Sequence, residues 1–310
     1  MTIGGFLEHG LFSDFSNPIT LDFSHMENLL REISHDPYLF QIDDFMHSGW
    51  IGHAPFLKYL IREQKPWIFV ELGVHNGFSY FVGCQAIREY NLETKAYAVD
   101  HWLGDQQAGF FDDSVYETAK QLNSKYSKFS TLVKKSFEDA RAEFANSSID
   151  LLHIDGYHSY ESVKSDFESW LPKMQKDGVV LLHDIHVRRN TFGVYKFWAE
   201  VKSKYTTIEF VSSHGLGVVF LGEIPSKDLV TLVEYSAQGD LPQLQGTFGS
   251  ISDDVIQNSR NATIFAREAE RDSAVAERDS AVAELNGIQR SNTWKISAPY
   301  RKFREYFSRS

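Results

Sequence analysis

Apolar residues along the middle of the chain fall into two alternating rhythms. Trp67-Ile-Phe-Val70 is an unbroken apolar run, which predicts a strand covered on both faces. Phe78, Phe81, Val82, Ala86 and Ile87 follow at helical spacing. The change of period then repeats. Strands are predicted over Lys95–Asp100, Ser130–Val133, Ser148–Asp155 and Val179–Asp184, and helices over 112–126, 138–145, 161–175 and 193–204. Two last apolar runs, Thr207–Val211 and Gly215–Leu221, are separated by three residues, too few for a crossover, and predict an antiparallel hairpin. Right-handed crossovers leave few topologies for such a series. The fold class is α/β: a doubly wound, mostly parallel sheet closed by an antiparallel hairpin.

The pattern changes outside this block. Residues 1–45 read as an N-terminal cap with a short helix over Met26–Ile33, and 54–63 as a helix leading into the first strand. The main domain is placed at 46–224, a helix at 225–236, and a Gly/Pro/Gln/Ser-rich linker at Gly239–Ser252. Glu270-Arg-Asp-Ser-Ala-Val-Ala276 then recurs identically as Glu277–Ala283. A helix over 254–288 would be about 50 Å long, and Val275 and Val282 share one heptad position. Val, Ala and Arg make a weak seam, so a solvated single helix and a coiled coil both fit. Residues 291–310 close the chain as a basic amphipathic tail in which Tyr300, Phe303 and Phe307 share a face.

Charge narrows the function classes. The net charge is −11, which argues against a nucleic-acid partner, while 287–310 carries six basic side chains against one acid. That asymmetry gives the tail its own partner: a homo-oligomer or assembly partner engaged through 259–310, or peripheral contact with a membrane face. No run of about 18 apolar residues and no leader pattern is present. The single cysteine, Cys84, reads as a small core residue, and the expected location is cytoplasmic.

Candidate chemistry collects at the strand ends. Glu71, Asp100 and Asp155 each end a predicted strand, and Asp184 ends another, so one sheet edge gathers acids that require cations or donors among them. After Glu71 come Gly73 and Gly77, spaced unlike a dinucleotide fingerprint, which disfavours a nicotinamide-dependent dehydrogenase. The Glu71-x-Gly73-x-x-x-Gly77 turn, with His75 where a middle glycine is common, resembles the first motif of class I S-adenosylmethionine-dependent methyltransferases, whose fold is Rossmann-like. His153-Ile-Asp-Gly-Tyr-His-Ser-Tyr160, followed by Asp166, Trp170, Pro172, Gly178, His183-Asp184, Gly193–Trp198 and His214–Val218, resembles members of that class associated with polysaccharide and antibiotic-sugar biosynthesis. The resemblance covers about residues 54–222. The tail string Ser291-x-Thr-Trp-Lys-x-x-Ala-Pro-Tyr-Arg301 is similar to a tail on glycan-assembly transferases.

The resemblance implies S-adenosylmethionine as cofactor, held by Glu71, Gly73, Gly77, Asp100, His101, Ser136, Phe137 and Asp155. It implies His158 as general base with Asp155, and a metal, Mg2+, at Asp155, Asp184 and His183. His183 stands where that family has a second acid, which bears directly on magnesium because magnesium prefers oxygen. The implied acceptor is a sugar hydroxyl, and a glycan-assembly complex at the inner membrane face is the implied setting. The alternative is a non-catalytic methyltransferase-fold scaffold acting through its coiled coil. His153, Trp170 and Trp198 read as core packing, His214 as a turn cap, and Asp166 as a helix surface charge.

Overall fold

The computed structural model describes residues 23–290 except 47, 190 and 238–240. The predicted tail helix therefore lies outside the described residues. Seven strands form the main sheet: β1 Ile68–Leu72, β2 Lys95–Asp100, β3 Ser130–Lys134, β4 Ile149–Ile154, β5 Met174–His183, β6 Thr206–Phe210 and β7 Leu216–Phe220. Their order is β3-β2-β1-β4-β5-β7-β6. The first five run parallel, and β7 pairs antiparallel with both β5 and β6. This is a Rossmann-like, doubly wound, mostly parallel sheet closed by an antiparallel hairpin, as the sequence predicts.

Period-two alternation divides the sheet between two helical layers. Val70, Leu72, Leu152, Ile154, Val180 and Leu182 pack with α6 (Tyr160–Trp170) and α7 (Val194–Lys202) through Phe167, Trp170, Phe197 and Trp198. On the other face Phe69 stacks on Tyr80 of α3 (Phe78–Glu89), and α2 (Ala54–Gln64) packs against α3. Cys84 is buried in α3, where burial pushes its thiol up to about 12. Lys58 of α2 is wholly buried. Its ammonium donates to the Tyr38 and Gln41 carbonyls and lies 2.6 Å from Glu89, so the N-terminal segment is tied to the sheet's helices.

Several boundaries depart from the sequence reading. Trp67 is 67% exposed and precedes β1. β5 starts at Met174, ahead of the predicted Val179, and its register with β4 shifts between Ile149 and Leu151. Helix α6 ends at Trp170.

The segment read as a linker is helical: α9 spans Leu241–Arg290. Leu244, Phe248 and Ile251 are buried, and Phe248 packs edge-on against Phe56, Tyr59 and Phe210. Ser252 donates to the Gly52 carbonyl. Spacing of i, i+4, i+7 outweighs the polar composition around it. The chain divides into two compact units at Asp253/Asp254. In the second unit Val275 is 41% and Val282 50% exposed. Among the described residues no helix is long and apolar enough to cross a membrane.

Candidate active site

A cleft of about 710 Å³ opens at the carboxyl ends of β1, β2, β4 and β5. That volume is in the range of cofactor and small-molecule sites. Gly73, Asp100, Phe137, Asp155, His158 and Asp184 all lie on its walls. Topology accounts for this, since parallel strands deliver their strand-end residues to one edge.

In the half beneath β1 and β2, the acids are held by the chain itself. Asp100 Oδ2 accepts the N–H groups of Val74 and His75 at 2.9 and 3.0 Å, and Oδ1 accepts that of Trp102 at 2.6 Å. A carboxylate has about four acceptor positions, so roughly one remains for a ligand hydroxyl. Gly73 has φ +86, and a Cβ there would come within 2.2 Å of the Asp155 carbonyl oxygen. The glycine is thus required by the chain's own backbone. His75 adopts φ +50, the left-handed conformation a middle glycine would take without strain.

Glu71 is not on the cleft wall. It is wholly buried, accepts the Ser79 hydroxyl at 2.7 Å, and its Oε2 lies 2.9 Å from His153 Nδ1. Trp50 Nε1 donates to His153 Nε2 at 3.1 Å. Burial raises the Glu71 carboxyl, against His153 and Ser79, which lower it. Its reading as a direct cofactor contact is corrected to a support beneath the turn. His101, Ser136 and Phe137 do line the cleft. His101 Nδ1 accepts the Leu103 N–H, and Ser136 caps the short helix α5 (Phe137–Ala140) by accepting the Asp139 N–H.

In the half beneath β4 and β5, the acids hold histidines. His158 Nε2 lies 2.8 Å from Asp184 Oδ2 and 3.3 Å from Asp155 Oδ1. Its Nδ1 lies 2.9 Å from Gln107 Oε1, which also accepts the His158 backbone N–H at 2.9 Å. That second bond identifies the Gln107 atom as the carbonyl oxygen, so both ring nitrogens of His158 face acceptors. The ring therefore favours the imidazolium. Burial opposes that charge, but hydrogen bonds to Asp155 and Asp184 win and raise His158 to about 10.

His183 is placed similarly. Its Nε2 donates to the Ser213 carbonyl at 3.1 Å, and Nδ1 lies 3.3 Å from Asp155 Oδ1. Against burial, the Asp155 charge raises it. Burial would raise Asp155, yet His183 and His158 hold it well below the usual carboxylate range.

These contacts revise the expected metal set. Both His183 nitrogens are occupied, so His183 is not available as a ligand. Asp155, His158 and Asp184 instead offer ligand atoms within 4.8 Å of one another. Asp184 Oδ1 is buried without a hydrogen bond, with His214 Nδ1 3.2 Å away. Two carboxylates with an orphaned oxygen fit a hard divalent cation, provided His158 surrenders its proton. Asp184 itself has φ +59, a strained placement of the kind found where geometry serves function.

Sequence reasoning missed several residues. Gln107 sits in the loop after β2 and also donates to the Thr191 carbonyl. Phe192 stacks on His158 at 4.7 Å and 11°. Neither lies in a motif, and their proximity arises only in three dimensions. His214 does more than cap a turn, since it faces Asp184, and Asp166 lines the cleft rather than the outer surface. His153, Trp170 and Trp198 are core residues as expected.

A Sinorhizobium fredii protein, y4gI, described as uncharacterized, is 44% identical over 186 residues, which cover 60% of this chain and 20% of that relative. The match thus spans about a fifth of the relative's length. Among solved structures, a putative caffeoyl-CoA O-methyltransferase from Staphylococcus aureus superposes with a TM-score of 0.44 at 17% identity, covering 65% of this chain and 96% of that one. The O-methyltransferase TomG from Streptomyces achromogenes, solved with S-adenosylmethionine, gives 0.43 at 14% identity, covering 63% and 90%. The family model that matches this chain is described as a methyltransferase domain, and it covers residues 70–185, from within β1 to the residue after Asp184.

Proposed function

We propose that the protein is an S-adenosylmethionine-dependent O-methyltransferase acting on a sugar hydroxyl of a glycan or glycosylated metabolite. The observation that carries this reading is the Asp155–His158–Asp184 cluster facing the same cleft as the Gly73–Gly77 turn. Its placement within the methyltransferase-domain match supports it. The residues fit the cofactor: Asp100 keeps a free acceptor position beside the turn, and Phe137 offers an aromatic wall. When bound, S-adenosylmethionine supplies an electrophilic methyl group on a sulfonium.

The chain's own residues handle the proton. A sugar hydroxyl is a poor nucleophile until its proton is removed. His158 Nε2 would accept that proton, and Asp155 and Asp184 stabilise the resulting imidazolium. Gln107 holds the ring through Nδ1, so Nε2 stays aimed at the carboxylates. The two carboxylates also keep His158 protonated, so it must first release a proton. Positive charge brought into the cleft, by the cofactor or by a divalent cation at Asp155 and Asp184, favours that release. The exposed Val275 and Val282, on one heptad position, would serve a second helix in an oligomer or glycan-assembly complex.

The test is release of S-adenosylhomocysteine on incubation with S-adenosylmethionine and a panel of nucleotide sugars, glycans and phenolic acceptors. Turnover confined to sugar acceptors is expected. Turnover on phenols alone would overturn the acceptor class, and none with any acceptor, despite cofactor binding, would favour the scaffold reading.

A further inference from the structure

The chain after β2 carries Gly104-Asp-Gln-Gln-Ala-Gly109, a polar stretch bounded by two glycines. It folds into a short hairpin in which Gly104 pairs with Phe110 and Asp105 with Gly109. Both glycines have positive φ, +70 and +88, and a Cβ on Gly104 would come within 1.9 Å of the Gly109 carbonyl oxygen. Asp105 Oδ1 accepts the N–H groups of Gln107 and Ala108 at 2.6 and 2.8 Å, which fixes the shape of the tip. Topology then carries the hairpin over the cleft. It leaves the sheet at the end of β2, and its tip meets the loop after β4 at His158. β1 lies between those two strands, so the hairpin spans the mouth above the Gly73–Gly77 turn. Gly104, Asp105, Ala108 and Phe111 line the cleft.

The two ends of this strap are held differently. At the base Trp102 is buried, and its indole N–H donates to the His75 carbonyl at 3.0 Å. Phe111 stacks on the His75 ring with centroids 4.6 Å apart. At the tip, among the described residues, the hydrogen bonds across the cleft all come from Gln107. Its Oε1 accepts the His158 backbone N–H and faces Nδ1 of that ring, and its Nε2 donates to the Thr191 carbonyl at 3.2 Å. Leu103 and Phe110 are 61% and 81% exposed, so little packs on the outer face. A two-stranded ribbon has little stability of its own. The base is rooted and the tip is latched.

Resting on the cofactor reading above, we infer that the 103–111 hairpin is a gate: Gln107 latches it shut over the cofactor, and release of that latch admits S-adenosylmethionine and lets S-adenosylhomocysteine leave. Closing also delivers Gln107 Oε1 to His158, so that ring is held in place only when the cleft is covered. Ligand exchange and a poised His158 therefore exclude one another. The rival role for the hairpin is a fixed brace that stays shut while ligands pass elsewhere.

Exchange rates separate these roles. Association and dissociation of radiolabelled S-adenosylhomocysteine are measured on the full chain in the wild type, Gln107→Ala and Gln107→Asn; the last keeps the amide but loses a methylene of reach. In both variants the two rates should each rise about 10-fold, the scale of two or three hydrogen bonds exchanged for water. Affinity should change less than either rate, because a gate lies on the path in and the path out. Hydrogen exchange reads the hairpin itself. S-adenosylhomocysteine should protect 103–111 in the wild type and much less in the variants, while 73–77 is protected in all three. Faster dissociation with unchanged association would make Gln107 a ligand contact rather than a latch. Unchanged rates, or equal protection of 103–111 in the variants, would make the hairpin a brace. Each of these overturns the inference and leaves the cofactor reading standing, because the wild type still binds. Failure of the wild type to bind S-adenosylhomocysteine at all would overturn both.

Discussion

The two halves of the cleft use the same kind of residue for different ends. Asp100 and Asp155 both end parallel strands at the same edge. Asp100 is clamped by three backbone N–H groups, which cannot dissociate, and keeps about one acceptor position for a ligand. Asp155 and Asp184 are faced by the side chains of His158, His183 and His214, which can exchange protons or turn away. A carboxylate clamped by backbone fixes a shape. One balanced by histidine stores charge that a ligand can displace. On the proposed function, the first half would hold the cofactor and the second would handle the proton.

The largest effect should come from the second half. His158→Ala is expected to lower turnover by roughly 10²–10⁴, the usual worth of a positioned general base, while S-adenosylhomocysteine affinity stays within a factor of about three. A parallel loss of affinity would erase the division between the halves. Chelation sharpens the result. If Asp155 and Asp184 hold a cation, chelator abolishes turnover and Mg2+ restores it; activity indifferent to chelator would assign the cluster to proton transfer alone.

Asp100→Ala should cost about 1–3 kcal/mol of S-adenosylhomocysteine affinity. Part of that loss is indirect, because three backbone N–H groups lose their acceptor and the Gly73–Gly77 turn loosens. Asp100→Asn should recover some affinity, since its amide oxygen still accepts. Equal affinity in all three proteins would show that the clamp does not hold the cofactor.

The pH dependence follows from the same contacts. His158 is raised from 6.5 to about 10 in the folded protein. Its contribution to stability is therefore complete below pH 6.5 and is lost as pH rises toward 10. His158→Gln should flatten that part of the stability profile in chemical denaturation. In the metal-free enzyme, kcat/KM should rise roughly tenfold per pH unit on the approach to that ionisation. Added Mg2+ should move the rise to lower pH, and a profile centred near 6.5 without metal would contradict the imidazolium assignment.

The strand ends were legible because the change of period marks each one, and a parallel sheet gathers them at one edge. Which atoms each acid would face was not legible. Gln107 reaches His158 across 51 residues of chain, and Ser213 meets His183 across 30. The buried role of Glu71 depends on His153 and Trp50, which strand pairing and the N-terminal segment bring to it. The start of α9 was misread for another reason. Its Gly, Gln and Ser content masks Leu244, Phe248 and Ile251, whose spacing already carries a helical face.

The smallest effect on the cleft should come from removing residues 259–310. The cut keeps Leu244, Phe248 and Ile251, so melting temperature and cofactor affinity should be nearly unchanged. Light scattering should report a smaller assembly than the full chain gives. An identical mass per chain in both proteins, with no partner lost, would remove the oligomeric role of the heptad helix.

Paired calorimetric titration of S-adenosylhomocysteine into the wild type, His158→Ala and Asp100→Ala tests the division of the cleft most directly. The account predicts one site per chain in the wild type, unchanged affinity in His158→Ala, and a loss of about 10-fold or more in Asp100→Ala. Absence of binding in the wild type, or loss in His158→Ala with full affinity in Asp100→Ala, would contradict it.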